Sequence, residues 1–88
     1  MIGIVIPAHN EERLIGECLD SVLLAAEHPC LQGLAVEILV VLDQCSDNTG
    51  AVVSAKGVTS IDVCFRNVGK ARAVGAEQLL EEIGRAHV

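Results

Sequence analysis

The sequence predicts an α/β fold: a three-layer arrangement around a small parallel sheet, with elements in the order β-α-β-α-β-α. Two observations carry this. Residues 38–42, Ile-Leu-Val-Val-Leu, form an unbroken apolar run with no polar alternation, the pattern of a strand buried on both faces, as in parallel sheets. Strand-like stretches also alternate with helix-like ones along the whole chain. That alternation implies parallel strands joined by right-handed helical crossovers.

The elements follow in order. Residues 2–6 read as a first strand that Pro7 closes. In the loop 7–10, Asn10 is a good helix N-cap, and Glu11 and Glu12 would then occupy a first turn where the helix dipole favours acids. Leu14, Ile15, Cys18, Leu19, Val22 and Leu23 recur at spacings of three and four, a helical stripe that should fade between Glu27 and Pro29. Pro29 and Gly33 break the segment 28–35 into a loop. The central strand ends on Asp43, and Asp47 is placed to cap a short helix over 49–56, which Gly57 ends. Residues 60–65 are β-prone and read as a third strand. A polar loop over 66–70 then leads into a helix over 71–83 with Ala76, Leu79, Leu80 and Ile83 on one face.

Composition narrows the function. Eighty-eight residues make one small domain, and with 51% hydrophobic but 1% aromatic residues the core must be Val, Ile, Leu and Ala. A net charge of −6 excludes a broad basic field for nucleic acid or anionic membrane. It leaves room for one small phosphate ligand held by locally gathered cations. Cys18, Cys30, Cys45 and Cys64 show neither C-x-x-C nor zinc-finger spacing, and each falls in a different element or connection. They read as reduced thiols of a cytoplasmic protein rather than as a disulfide scaffold. The first residues lack the cationic start of a signal peptide, and no apolar run reaches the roughly 20 residues of a membrane span.

This order places three loops, 7–12, 43–48 and 66–70, at the carboxyl ends of the three strands. Ligands of open α/β sheets sit outside those ends. The first loop, P-A-H-N-E-E, has no glycine, so it is not G-x-G-x-x-G. The Gly69-Lys70 pair lacks the remainder of a P-loop. Taken alone, Asp43 is either a turn acid or a ligand contact. Glu11 and Glu12 are helix-start acids or ligand contacts, and Arg66 and Lys70 are solvated charges or phosphate partners. His9 reads as a loop histidine, and nothing marks Cys45 as an activated thiolate.

Three segments together resemble the N-terminal half of family 2 glycosyltransferases, which have the GT-A fold. I-V-I-P-A-H-N-E-E, from Ile4 to Glu12, is similar to a strand followed by P-x-Y-N-E, with His9 where Tyr is usual. V-V-L-D-Q-C-S-D-N-T, from Val40 to Thr49, resembles V-V-D-D-G-S-T-D-G-T, with Leu42 in place of the first acid. R-N-V-G-K-A-R-A-V-G, from Arg66 to Gly75, resembles N-x-G-x-A-x-A-x-N-x-G, shortened by about two residues. The likeness runs from Ile2 to about Leu80. It implies a nucleotide-diphosphate sugar donor in contact with Pro7, Ala8, Glu11, Asp43, Arg66 and Lys70. In that reading Asp43 accepts an N–H of the base and the two cations face the diphosphate.

The resemblance also implies parts that the sequence lacks. Members usually hold a divalent metal, Mg or Mn, through a D-x-D motif after a fourth strand, and use a later carboxylate as base. No D-x-D occurs here, so residues 1–82 are expected to be the donor-nucleotide half of the domain, without catalytic residues or bound metal and without activity alone. Residues 83–88, I-G-R-A-H-V, match one reading frame of a common sequencing adapter and are expected to be a non-native tail; independent reads of the locus test this. The cytoplasm is the expected location, or its membrane face through downstream segments. The alternative is a non-catalytic nucleotide-binding domain. A nucleotidyltransferase is disfavoured because P-A-H-N-E-E lacks the Gly-rich, Arg-containing loop of that class.

Overall fold

The computed structural model describes residues 2–31 and 33–86. The elements are β1 (Ile2–Ala8), α1 (Ile15–Ala26), a 3₁₀ turn (Pro29–Leu31), β2 (Val36–Asp43), α2 (Thr49–Ala55), β3 (Thr59–Val63) and α3 (Val68–Ala86). The three strands are all parallel, in the spatial order β1-β2-β3, so the expected β-α-β-α-β-α succession is present. The apolar run is the central strand: Leu39, Val40, Val41 and Leu42 are all buried. It needs no polar alternation because both of its faces are covered.

The two faces are covered differently. Ile6, Ala8, Ile38, Val40 and Leu42 share a core with Ile15 and Leu19 of α1 and Val53 of α2. A Lys56–Asp20 ion pair of 2.8 Å ties those two helices at the surface. The opposite face carries α3, which packs on β1 and β2. Its buried positions are Ala71, Gly75 and Leu79, while Leu80 is 67% exposed and Ala76 is exposed. The expected stripe of Ala76, Leu79, Leu80 and Ile83 is therefore corrected to one of spacing four through Gly75. The reason is close approach. A Cβ on Gly75 would lie 2.5 Å from Val5 Cγ1 and 2.7 Å from Val41 Cγ2, so the seam selects small residues over bulky ones. The side chain of Ile83 lies outside the described residues.

Other boundaries shift for local reasons. Pro7 and Ala8 continue β1, opposite Val41 and Leu42; an edge strand tolerates a residue without an N–H. The first helix starts at Ile15, after a turn in which the N–H groups of Leu14 and Ile15 donate to Glu11 O. Asn10 is therefore not its N-cap, and Glu11 and Glu12 precede the helix. Lys70 is not in the third loop but in the first turn of α3. There its N–H donates to Asn67 Oδ1 at 3.0 Å, which makes Asn67 the cap. Of the expected tail 83–88, residues 83–86 continue α3 and residues 87–88 lie outside the described residues.

Candidate functional site

Because the strands are parallel, the loops leaving β1, β2 and β3 emerge at one rim. Hydrogen bonds stitch the first loop to the second. His9 Nδ1 lies 2.7 Å from the main-chain O of Asp43. A carbonyl only accepts, so Nδ1 carries a proton and donates here. Ser46 N–H donates to Asn10 Oδ1 at 2.8 Å, Glu11 N–H to Thr49 Oγ1 at 2.9 Å and Glu12 N–H to Asp47 Oδ2 at 3.3 Å. The Cys45 thiol meets Ala8 O at 3.5 Å.

Asp43 ties the second loop to the third. It sits at the end of β2, only 4% exposed. Its Oδ1 accepts the N–H groups of Phe65 and Arg66 at 2.8 and 2.7 Å, and its Oδ2 accepts that of Asn67 at 2.9 Å. Gln44 N–H donates to Val63 O at 2.7 Å beside them. Burial pushes the Asp43 carboxyl up, but the backbone donors of Arg66, Asn67 and Phe65, with His9 nearby, hold it below its ordinary value. Asp47 is also held low, first by the Thr49 hydroxyl and, against the effect of burial, by the N–H groups of Thr49 and Glu12. Asp47 Oδ1 accepts from both the N–H and the hydroxyl of Thr49. It therefore caps α2 from one residue before Asn48, and the expected capping role is present.

A cavity of about 210 Å³ opens at this rim, lined by His9, Asn10, Gln44, Ser46 and Arg66. Asn10, Gln44 and Arg66 have φ of 50°, 51° and 47°, and they are the non-glycine residues with positive φ among those described. One comes from each loop, and all three line this cavity. The left-handed region costs a non-glycine residue about 1–2 kcal/mol, and such strain gathers at functional sites.

The residues expected at the site divide into three groups. Asp43 and Arg66 are joined directly, 2.7 Å apart from carboxylate to N–H. Pro7, Ala8 and Glu11 line an adjoining cavity of about 220 Å³ with Ile6, Leu14, Ile15 and Cys18; Ala8 is buried. Lys70 stands on α3, outside both cavities. A further cleft, about 350 Å³ along Asn10 to Leu14 and Asp47, adjoins both through Asn10, Glu11 and Leu14. Sequence reasoning missed Asn10, Gln44 and Ser46 as cavity residues and read His9 only as a loop histidine. The available signal was Asn10, since asparagine is enriched in the left-handed region.

The rim is well supplied with donors: the Arg66 guanidinium and the Asn10, Gln44 and Ser46 side chains, beside the His9 ring. Such a set suits an anionic or heteroaromatic ligand. Among the described residues, no group of three or more His, Cys, Asp or Glu is placed to hold a metal ion. No helix among them is long and apolar enough to cross a membrane.

Comparison with known proteins adds the following. The sequence profile described as Glycosyl transferase family 2 matches residues 3–77. Proteins named 4,4'-diaponeurosporenoate glycosyltransferase from Staphylococcus aureus strains USA300 and NCTC 8325 / PS 47 are 36% identical over 69 residues. The protein of that name from strain MRSA252 is 37% identical over 69 residues. Each alignment covers 78% of this chain and 16% of the relative, so the chain spans a small part of the length of these relatives. No solved structure matches. The three parallel strands with helices on both faces correspond to the N-terminal part of the GT-A fold.

Proposed function

The chain belongs to glycosyl transferase family 2, and on that premise we propose that its strand-end rim is the donor-nucleotide site of a glycosyltransferase. The observation that carries this is the meeting of three strained residues, one from each loop, around a single polar cavity. In this reading a nucleotide-diphosphate sugar lies across the rim, against Pro7, Ala8 and Glu11 on the α1 side and Arg66 on the α3 side. Asp43 stands at the centre. Arg66 meets the diphosphate, and Lys70, in the first turn of α3, adds positive charge to the same end of the sheet. The exposed thiols of Cys18, Cys30 and Cys64 fit the reducing cytoplasm, where disulfides are rare.

Family members usually use a divalent metal. The described residues offer no donor set for one and the sequence has no D-x-D, so we assign this stretch no metal and no catalytic step. Its share of the reaction is to bind and orient the donor. Titration calorimetry with ADP, GDP, UDP and TDP tests this. We expect saturable binding of at least one diphosphate, weakened about tenfold by Arg66→Ala, as for a lost hydrogen bond to a charged group. Folded protein that binds none of the four would overturn the reading. No sugar transfer is expected from these 88 residues alone, and turnover by the purified chain would contradict the division of labour.

A further inference from the structure

Three residues around the rim cavity hold a left-handed backbone, and two of them have a reason inside the fold. Asn10, with φ of 50°, is of a type that tolerates this region, and its Oδ1 accepts Ser46 N–H. Arg66, with φ of 47°, is held by Asp43 through its N–H. Gln44, with φ of 51°, is different. Its N–H donates to Val63 O at 2.7 Å, a bond that glycine would make equally well, and only glycine takes this φ without a steric penalty. In the motif that residues 40–49 resemble, this position is Gly. The Gln44 side chain gives the fold no bond in return. It is exposed, and no hydrogen bond among the described residues uses its carboxamide. The residue nevertheless lines the cavity, beside His9, Asn10, Ser46 and Arg66. Strain that the fold does not use is the kind kept for a site.

We infer that Gln44 is a specificity-determining residue: its carboxamide reads the edge of the nucleobase in the rim cavity. This rests on the nucleotide reading above. The chemistry suits a base better than a phosphate. A carboxamide both donates and accepts, and a base edge presents both kinds of group side by side, as where Gln pairs bidentately with adenine. A phosphate only accepts, so it would leave the carboxamide oxygen unused. Gln44 also follows Asp43 directly in the chain, which sets it at the base end in that reading.

Gln44→Ala and Gln44→Gly both remove the carboxamide, but only the change to glycine also removes the Cβ. Calorimetric titration with ADP, GDP, UDP and TDP, and urea unfolding, are carried out on both variants and on wild type. For the diphosphate that wild type binds most tightly, both variants should lose about fivefold, as for one lost hydrogen bond, and for the next tightest less than about twofold. Unfolding should rank the variants independently of binding, with the urea midpoint of Gln44→Gly above that of Gln44→Ala. Weaker, less selective binding by the more stable variant cannot come from partial unfolding. An unchanged Kd overturns the inference. So does an equal loss for every diphosphate that binds, since the residue would then shape the loop rather than read the base. So does a Gln44→Gly protein no more stable than Gln44→Ala, since the side chain would then be held against no backbone preference. If wild type binds only one of the four, the same loss must appear for that one in both variants. Wild type that binds none sinks the nucleotide reading and the specificity role with it, whereas variants that bind as wild type does sink the specificity role alone.

Discussion

Gly75→Ala is the sharpest test of how α3 sits on the sheet. The added Cβ would fall 2.5 Å from Val5 Cγ1 and 2.7 Å from Val41 Cγ2, against an optimal carbon–carbon separation of about 3.5–4.0 Å. Val41 is fully buried in the central strand, bonded to neighbours on both sides, so it has nowhere to retreat. The helix must lift by about 1 Å or both valines must leave their rotamers. Overpacking of this kind costs typically about 1–3 kcal/mol, and two simultaneous overlaps place it near the top. Better helix propensity returns about 1 kcal/mol, which leaves a net loss of ~2 kcal/mol. Gly16→Ala is the control. It is the same change inside α1, but the new Cβ would meet Val52 Cγ1 at 3.4 Å and Lys56 Cε at 3.8 Å, ordinary contacts. It should stabilise by up to about 1 kcal/mol. Urea unfolding followed by far-ultraviolet circular dichroism reads both, and adding Val5→Ala to Gly75→Ala should return part of the loss. A Gly75→Ala protein as stable as wild type would refute the close-packed seam.

Further expectations follow from the loops. Asp43 and Asp47 titrate below their ordinary 3.8 in the folded chain, so near that pH the unfolded state binds more protons than the folded one. Their stabilisation is complete at neutral pH, declines as pH falls through about 5, and is gone below the depressed values. Asp43→Asn should flatten this acid limb in urea titrations at several pH values; an unchanged acid limb would argue against the carboxylate anchors. Asp47→Ala removes the acceptor for Thr49 and Glu12 and should cost about 1–2 kcal/mol, as for a lost helix cap. Thermal melts check this, and a change within ±0.5 kcal/mol would sink it. Gly57 ends α2 with φ of 72°, so Gly57→Ala should destabilise by about 1 kcal/mol even though nothing lies within 4 Å of the new methyl. A neutral result there would show that the turn relaxes.

Strand pattern was the most legible feature. The apolar run at 38–42 suits a strand covered on both faces, and Asp43 ending it marks the rim. Helix starts were less legible. Asn10 reads equally well as an N-cap and as a left-handed loop residue, and only its bond to Ser46, 36 residues away, decides between them. The face of α3 was misread because hydrophobicity points to Leu80, whereas the seam is chosen by the smallest residue, Gly75, and by the valines beneath it. The cavity was less legible. Of its lining residues Arg66 is picked from the sequence, as is Asp43 bonded to its N–H, but Gln44 and Ser46 carry no local signal, since their place depends on which loops meet.

The way the third loop is held has a consequence for how this protein can change over generations. Asp43 grips it only through main-chain N–H groups, which every amino acid except proline provides. Residues 65 and 66 can therefore exchange their side chains while the strand-end acid keeps the peptide on the same course. Ligand preference can drift at this corner with little loss of architecture, and the acid itself is the part that cannot be exchanged.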